Sequence, residues 1–260
     1  MNRIFIPQIK ALAVNVWREA TRDRSILMLV GSGVLMMAFS LIFGQMAVGG
    51  RDRIFQDMGF WIMGMWGLAA VVYLGSGIIK RELQRKTVYL VLSRPVDRPT
   101  FMLGKFFGMV LVLASVFGLL TIAWLVIALS RGVSLTPMHF WALAFLFGEW
   151  VLLAAVSLFF AAFTSPLLHN FFLVSVAFLG HWSNELKIFA DNARTDALKM
   201  VLNTLYYLLP NLEALNFREA ALYNDVISSA VMGQGALVLL GWTATALIAA
   251  NIVFMQRRLL

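Results

Sequence analysis

Long runs without charge constrain this chain more than any other feature. No Asp, Glu, Lys or Arg occurs from Ser25 to Gly50, Met58 to Ile79, Phe106 to Ser130 or Val226 to Gln256. From Gly132 to Asn184 the one charged residue is Glu149, and that stretch is long enough to cross a bilayer twice. A spanning helix needs about 20 apolar residues, because the hydrocarbon core is about 30 Å thick and each residue rises about 1.5 Å. The sequence therefore predicts an all-α polytopic membrane protein with about six transmembrane helices, near 25–47, 58–79, 106–130, 140–163, 167–183 and 235–255. Thr164-Ser165-Pro166 supplies the turn between the fourth and fifth, since proline cannot continue helix hydrogen bonding. The fifth span is short, so it is expected to be tilted, broken or completed by residues beyond Trp182.

Composition agrees. The chain is 61% hydrophobic and 13% charged, against about 45–50% apolar and about 25% charged in soluble domains. With no cysteine, disulfides and thiolate metal sites are excluded. The first apolar run lacks a small-residue cleavage site at its end, so it is expected to be retained as a span. The net charge of +8 sits beside the apolar runs, where membrane anchoring accounts for it and nucleic-acid binding is not expected. Fourteen Lys and Arg fall in the N-terminal segment, the 80–105 segment and the C-terminus, against seven in the other connections. By the positive-inside rule the first group is cytoplasmic, with both termini inside, and an even number of spans requires the termini to share a side.

Three pieces of this single membrane domain lie outside the spans. Residues 1–24 contain Ile4, Ile6, Ile9, Leu12, Ala13 and Val16 near helical spacing, with Lys10, Arg18 and Arg22 interleaved. That pattern predicts an amphipathic helix lying in the headgroup plane. Residues 184–232 are expected to form short extracytoplasmic helices, one over Ala193–Leu209 ended by Pro210 and a second over Phe217–Met232. Residues 80–105 read KRELQRKTVYLVLSRPVDRPTFMLGK, a basic cytoplasmic segment with an apolar edge of Val88, Leu90, Val91 and Leu92, broken at Pro95 and Pro99. An apolar strip on a cytoplasmic helix fits a protein partner, though a bare positive anchor fits the composition equally.

Within the spans Glu149 stands out. An ionisable group in hydrocarbon costs about 2.5–3.5 kcal/mol on insertion scales, so it faces the bundle interior. It either lines a transport pathway or a dimer contact, or is a carboxylate satisfied by a neighbouring helix or sitting near the interface. His139, His169 and His181 are expected to be interfacial polar residues rather than metal ligands, with no paired carboxylate or cysteine. Gly104 and Gly108 form a G-x-x-x-G that permits close helix approach. No G-x-x-x-x-G-K-[ST] loop and no catalytic constellation occurs, so the chain itself is not expected to be an enzyme.

At 80–105 the residues Glu82, Lys86-Thr87, Leu90, Leu92-Ser93, Pro95, Arg98 and Leu103-Gly104-Lys105 resemble the segment after the second span in permease subunits of type-2, exporter-like ABC transporters. Lys86 stands where glycine is more usual. Leu209-Pro210-Asn211-Leu212 and Leu215-Asn216-Phe217 are similar to that family's segment before the last span. The resemblance implies a multi-pass permease of the bacterial inner membrane that forms an export pathway with a second copy or a paralogue. It also implies a separate ABC ATPase that holds ATP and Mg, this chain having no cofactor of its own, and leaves room for an extracytoplasmic accessory protein. The coupling positions it implies are Arg81, Glu82, Arg85, Thr87, Leu90, Leu92, Ser93 and Arg94. The competing functions are an ion-coupled secondary carrier, disfavoured by the lone in-span carboxylate, and an integral membrane enzyme, disfavoured by the lack of clustered Asp, Glu or His.

Overall fold

The computed structural model describes residues 5–46, 51–78 and 97–256. Among them the secondary structure is helical throughout: α1 (Phe5–Thr21), α2 (Arg24–Met46), α3 (Arg51–Ile78), α4 (Arg98–Ser130), α5 (Pro137–Ala161), α6 (Pro166–His181), α7 (Ser183–Asp191), α8 (Asp196–Leu208), a 3-10 turn (Glu213–Leu215), α9 (Arg218–Tyr223) and α10 (Ser229–Gln256). Five of these, α2, α3, α4, α5 and α10, are long and apolar enough to cross a membrane by length and composition, and α6 is a shorter apolar helix. Proline opens α4, α5 and α6 at their first turns, where a missing N–H costs no hydrogen bond. Asp23 starts α2 by accepting the Ser25 N–H at 2.9 Å, and the Tyr73 hydroxyl donates to its other oxygen at 2.6 Å.

Side-chain contacts fix the helix directions. Gln56 meets His139, Gly67 meets Trp150 and Gly75 meets Ser157, so α3 and α5 run parallel in constant register. Ser32 meets Trp66, which makes α2 antiparallel to α3. Phe101 stacks on Phe254, which makes α4 antiparallel to α10. The starts of α2, α4 and α6 therefore share one face with the ends of α3, α5 and α10. Apolar helices in lipid gain little from mutual burial, so close packing must hold them together. Glycine notches provide it. Any Cβ on Gly59 would enter the indole of Trp124, and one on Gly67 the indole of Trp150. Both tryptophans are fully buried. At the centre stands α5, touching α3, α4, α6 and α10.

The helix limits outrun the charge-free runs. Asp52, Arg53 and Asp57 lie inside α3, Arg98 and Lys105 inside α4, and α10 starts at Ser229 rather than Gly235. Backbone hydrogen bonding continues past the hydrocarbon, so absence of charge marks the span and not the helix. The second outer helix expected over Phe217–Met232 is instead two elements. It stops at Asn224, whose φ of 58° is left-handed, and Met232 belongs to α10. The amphipathic α1 forms, but it does not lie across the bundle end. Leu12 seats on Gly104 and Val16 on Gly108, so α1 runs alongside α4 in the same direction. A Cβ on either glycine would come within 2.6 Å of the facing side chain. The apolar edge expected to face lipid meets a helix whose glycines admit it.

The fifth crossing is broken. Ser157 meets His169 and Glu149 meets His181, so α6 runs up α5 from its end and stops opposite Glu149, the middle of α5. The chain then leaves in a hairpin of α7 and α8, joined by Lys187 to Asn203 at 3.3 Å. It returns where it left: the Leu212 N–H donates to the Gly180 carbonyl at 3.0 Å, and Leu212 packs on Gly180. From there Phe217 packs on Phe145, and Arg218 pairs with Asp57 at 3.0 Å, so residues 212–223 cover the half of α5 that α6 leaves bare. Irregular backbone at this depth is tolerable only when enclosed by protein. Leu212, Leu215 and Phe217 are accordingly buried.

Candidate functional site at the broken crossing

Glu149 projects from α5 toward the point where α6 breaks. It is 6% exposed, and its Oε1 lies 3.5 Å from His181 Nε2. The position follows from the helical period: Gly148 meets Leu239 of α10 and Trp150 meets Gly67 of α3, which leaves residue 149 facing α6 between them. His181 ends α6, with its side chain 39% exposed. Its Nδ1–H is committed to the Ala177 carbonyl at 2.9 Å. Toward the Glu149 carboxylate the ring turns Nε2, which offers a donor only in the imidazolium form. At 3.5 Å this is an ion-pair distance rather than a tight hydrogen bond.

The returning strand of chain adds a second carboxyl. Glu213 accepts the Asn216 amide at 3.1 and 3.3 Å. Ser183 donates to Asn211 at 2.6 Å, and Asn211 accepts the Ala214 N–H, which pins both sides of the junction. The site can thus hold charge at mid-height of the bundle and fix where the broken crossing resumes. Among the described residues no group of three or more His, Cys, Asp or Glu could hold a metal ion.

Two further polar contacts cross the bundle. His139 accepts the Thr136 N–H at Nδ1 and faces Gln56 Oε1 through Nε2 at 2.7 Å, next to an open outer pocket of about 460 Å³. His169 faces Ser157 at 2.9 Å. Both rings are buried within the bundle, and His181, expected to have no paired carboxylate, does have one in Glu149. Gln56 and His139 meet by parallel apposition of α3 and α5, which sequence separation does not reveal, whereas Ser157 and His169 meet across the hairpin of consecutive helices α5 and α6. Lys105 is a residue that the charge-free criterion excluded from its span. It is 3% exposed inside α4.

The eight expected coupling positions, Arg81, Glu82, Arg85, Thr87, Leu90, Leu92, Ser93 and Arg94, lie outside the described residues. Their flanks do not: α3 ends at Ile78 and α4 begins at Arg98 on the same face of the bundle.

A family model described as "ABC-2 family transporter protein" matches residues 17–259. Among curated proteins no match is found.

Proposed function

The chain belongs to the ABC-2 transporter family, and from that premise we propose that this ABC permease is the membrane half of an ATP-driven exporter, coupled to a separate ATPase subunit. The single observation that carries the proposal is the family match over nearly the whole chain. The sequence supports the division of labour: it holds no nucleotide-binding loop of the kind that cradles phosphates with a lysine. We assign ATPase docking to Arg81, Glu82, Arg85, Thr87, Leu90, Leu92, Ser93 and Arg94, and place them in the cytoplasm with both termini by the excess of Lys and Arg. The membrane is then the bacterial inner membrane, and ATP and Mg reside on the partner.

The pathway requires a second chain, an identical copy or a paralogue. The bundle interior is filled by Trp124, Trp150, Phe55, Met37, Ile62 and Met63, all fully buried, so transport runs along a surface. The surface we assign is the exposed stripe of α3, Trp61, Met65 and Ala69, between α2 on one side and α6 on the other. Glu149 acts on that pathway through His181, by fixing where α6 ends.

Purification from native membranes tests the proposal. The tagged chain should bring down an ATP-hydrolysing subunit, and Glu82→Ala with Arg85→Ala should release it while the membrane protein elutes unchanged. A parent chain that purifies alone, or transports with an ion gradient and no ATP, contradicts it.

A further inference from the structure

The motif at 80–105 has a second half, Arg98 and Leu103-Gly104-Lys105, that docking does not use. We propose that this half is a clamp that binds α1 and α10 to the start of α4 and passes movement of the docking segment to both helices, with Arg98 as the positioning residue. The proposal rests on the docking assignment above.

The geometry is local and continuous. Arg98 is the first residue of α4, four positions after Arg94. Its Nη1 donates to the Met255 carbonyl at 2.7 Å and reaches the Phe254 carbonyl at 3.5 Å, in the last described turn of α10. A cation on the carbonyls of a helix's final turns is favoured by the helix dipole as well as by the hydrogen bonds. One turn on, Phe101 stacks on Phe254, with ring centroids 5.7 Å apart and planes 15° from parallel. Both rings are buried. Another turn on, the Lys105 ammonium stands 5.6 Å from the Phe101 centroid. Arg98, Phe101 and Lys105 therefore form one edge of α4, at spacings that share a helix face, and that edge is bound to α10.

The neighbouring edge of α4 holds α1. Gly104 and Gly108 admit Leu12 and Val16 so closely that no side chain fits at either position, and the Trp17 indole donates to Ser115 at 2.9 Å. Helix α4 is unbroken from Arg98 to Ser130, about 50 Å at 1.5 Å per residue. A displacement at Arg98 has no hinge in which to dissipate before reaching α1 and α10. The motif's arginine and glycine thus have separate partners, one an α10 carbonyl and the other an α1 side chain.

The absence of native cysteine permits a direct test in the assembled complex with its cognate ATPase. Spin labels at Ile252→Cys on α10 and Leu167→Cys on α6, both exposed, report the position of α10 by their separation. ATP and Mg followed by vanadate should shift that distance in the parent. In Arg98→Met, which keeps the stem and removes the donors, the shift should vanish while ATPase binding and hydrolysis persist. Arg98→Lys should retain part of it, and serves alone should Arg98→Met fail to assemble. A shift equal to the parent's in either variant, or no shift in the parent complex, overturns the clamp. A parent chain that retains no ATPase overturns the docking assignment and the transmission role together.

Discussion

Placing one methyl group on Gly67 should cost this protein measurable stability. The Cβ of Gly67→Ala would lie inside the indole of Trp150, near Cε2, Nε1 and Cζ2. Carbon atoms rest about 3.5–4 Å apart, so the ring must retreat by roughly 1 Å or more. It has nowhere to go. Trp150 is fully buried, and Phe117 abuts it edge-on with centroids 5.0 Å apart. Overpacking of this kind costs about 1–3 kcal/mol, and an obstruction by a pinned ring belongs at the upper end. The better helix propensity of alanine returns about 1 kcal/mol, leaving a net loss of about 2 kcal/mol. At about 2–4 °C per kcal/mol for a chain of this size, the melting temperature should fall by about 4–8 °C. Thermal unfolding of the detergent-purified chain, followed by tryptophan fluorescence, measures it. Gly31→Ala is the control, because nothing lies within 4 Å of its added Cβ. That variant should melt at or above the parent. Trp150→Phe in the Gly67→Ala background should recover part of the loss. A Gly67→Ala chain that melts with the parent would refute the account of how α3 and α5 pack.

The other predictions concern polar contacts. Tyr73→Phe should cost about 1–2 kcal/mol by removing a 2.6 Å hydrogen bond to the Asp23 carboxylate. Asp23→Ala should cost more, because the Ser25 cap is lost with it, and the double variant should be less than additive when melted. Glu149→Gln should fold and assemble normally but alter the ATPase turnover of the complex, by changing the contact that sets the end of α6. Turnover equal to the parent's would remove Glu149 from the transport cycle.

Much of the architecture was legible because lipid imposes a simple rule on sequence. The absence of charge over about 20 residues marked the five long apolar helices, and Thr164-Ser165-Pro166 located the turn before α6. What the rule could not supply was which side chains meet across helices. Glu149 and His181 sit on consecutive helices and meet because α6 runs antiparallel to α5. His139 and His169 look interfacial by position yet are enclosed by Gln56 and Ser157 from helices that precede them. The break in the fifth crossing had one signal, the shortness of the apolar run. Its completion by residues 212–223 had none, since a few leucines and a proline read equally as an outer loop. Helix α1 carried the periodicity of a surface helix. The partner that claims its apolar edge was written elsewhere, in the Gly104 and Gly108 pair.

The proposed function turns on the segment after α3 gripping an ATPase on the cytoplasmic face. A photo-reactive amino acid at Leu90, on the apolar edge of that segment, tests it in intact cells. Irradiation should join the chain to a single soluble subunit that binds ATP, and the adduct should vanish with Glu82→Ala and Arg85→Ala. Adducts to lipid alone, or to a protein on the outer surface, would contradict the claim.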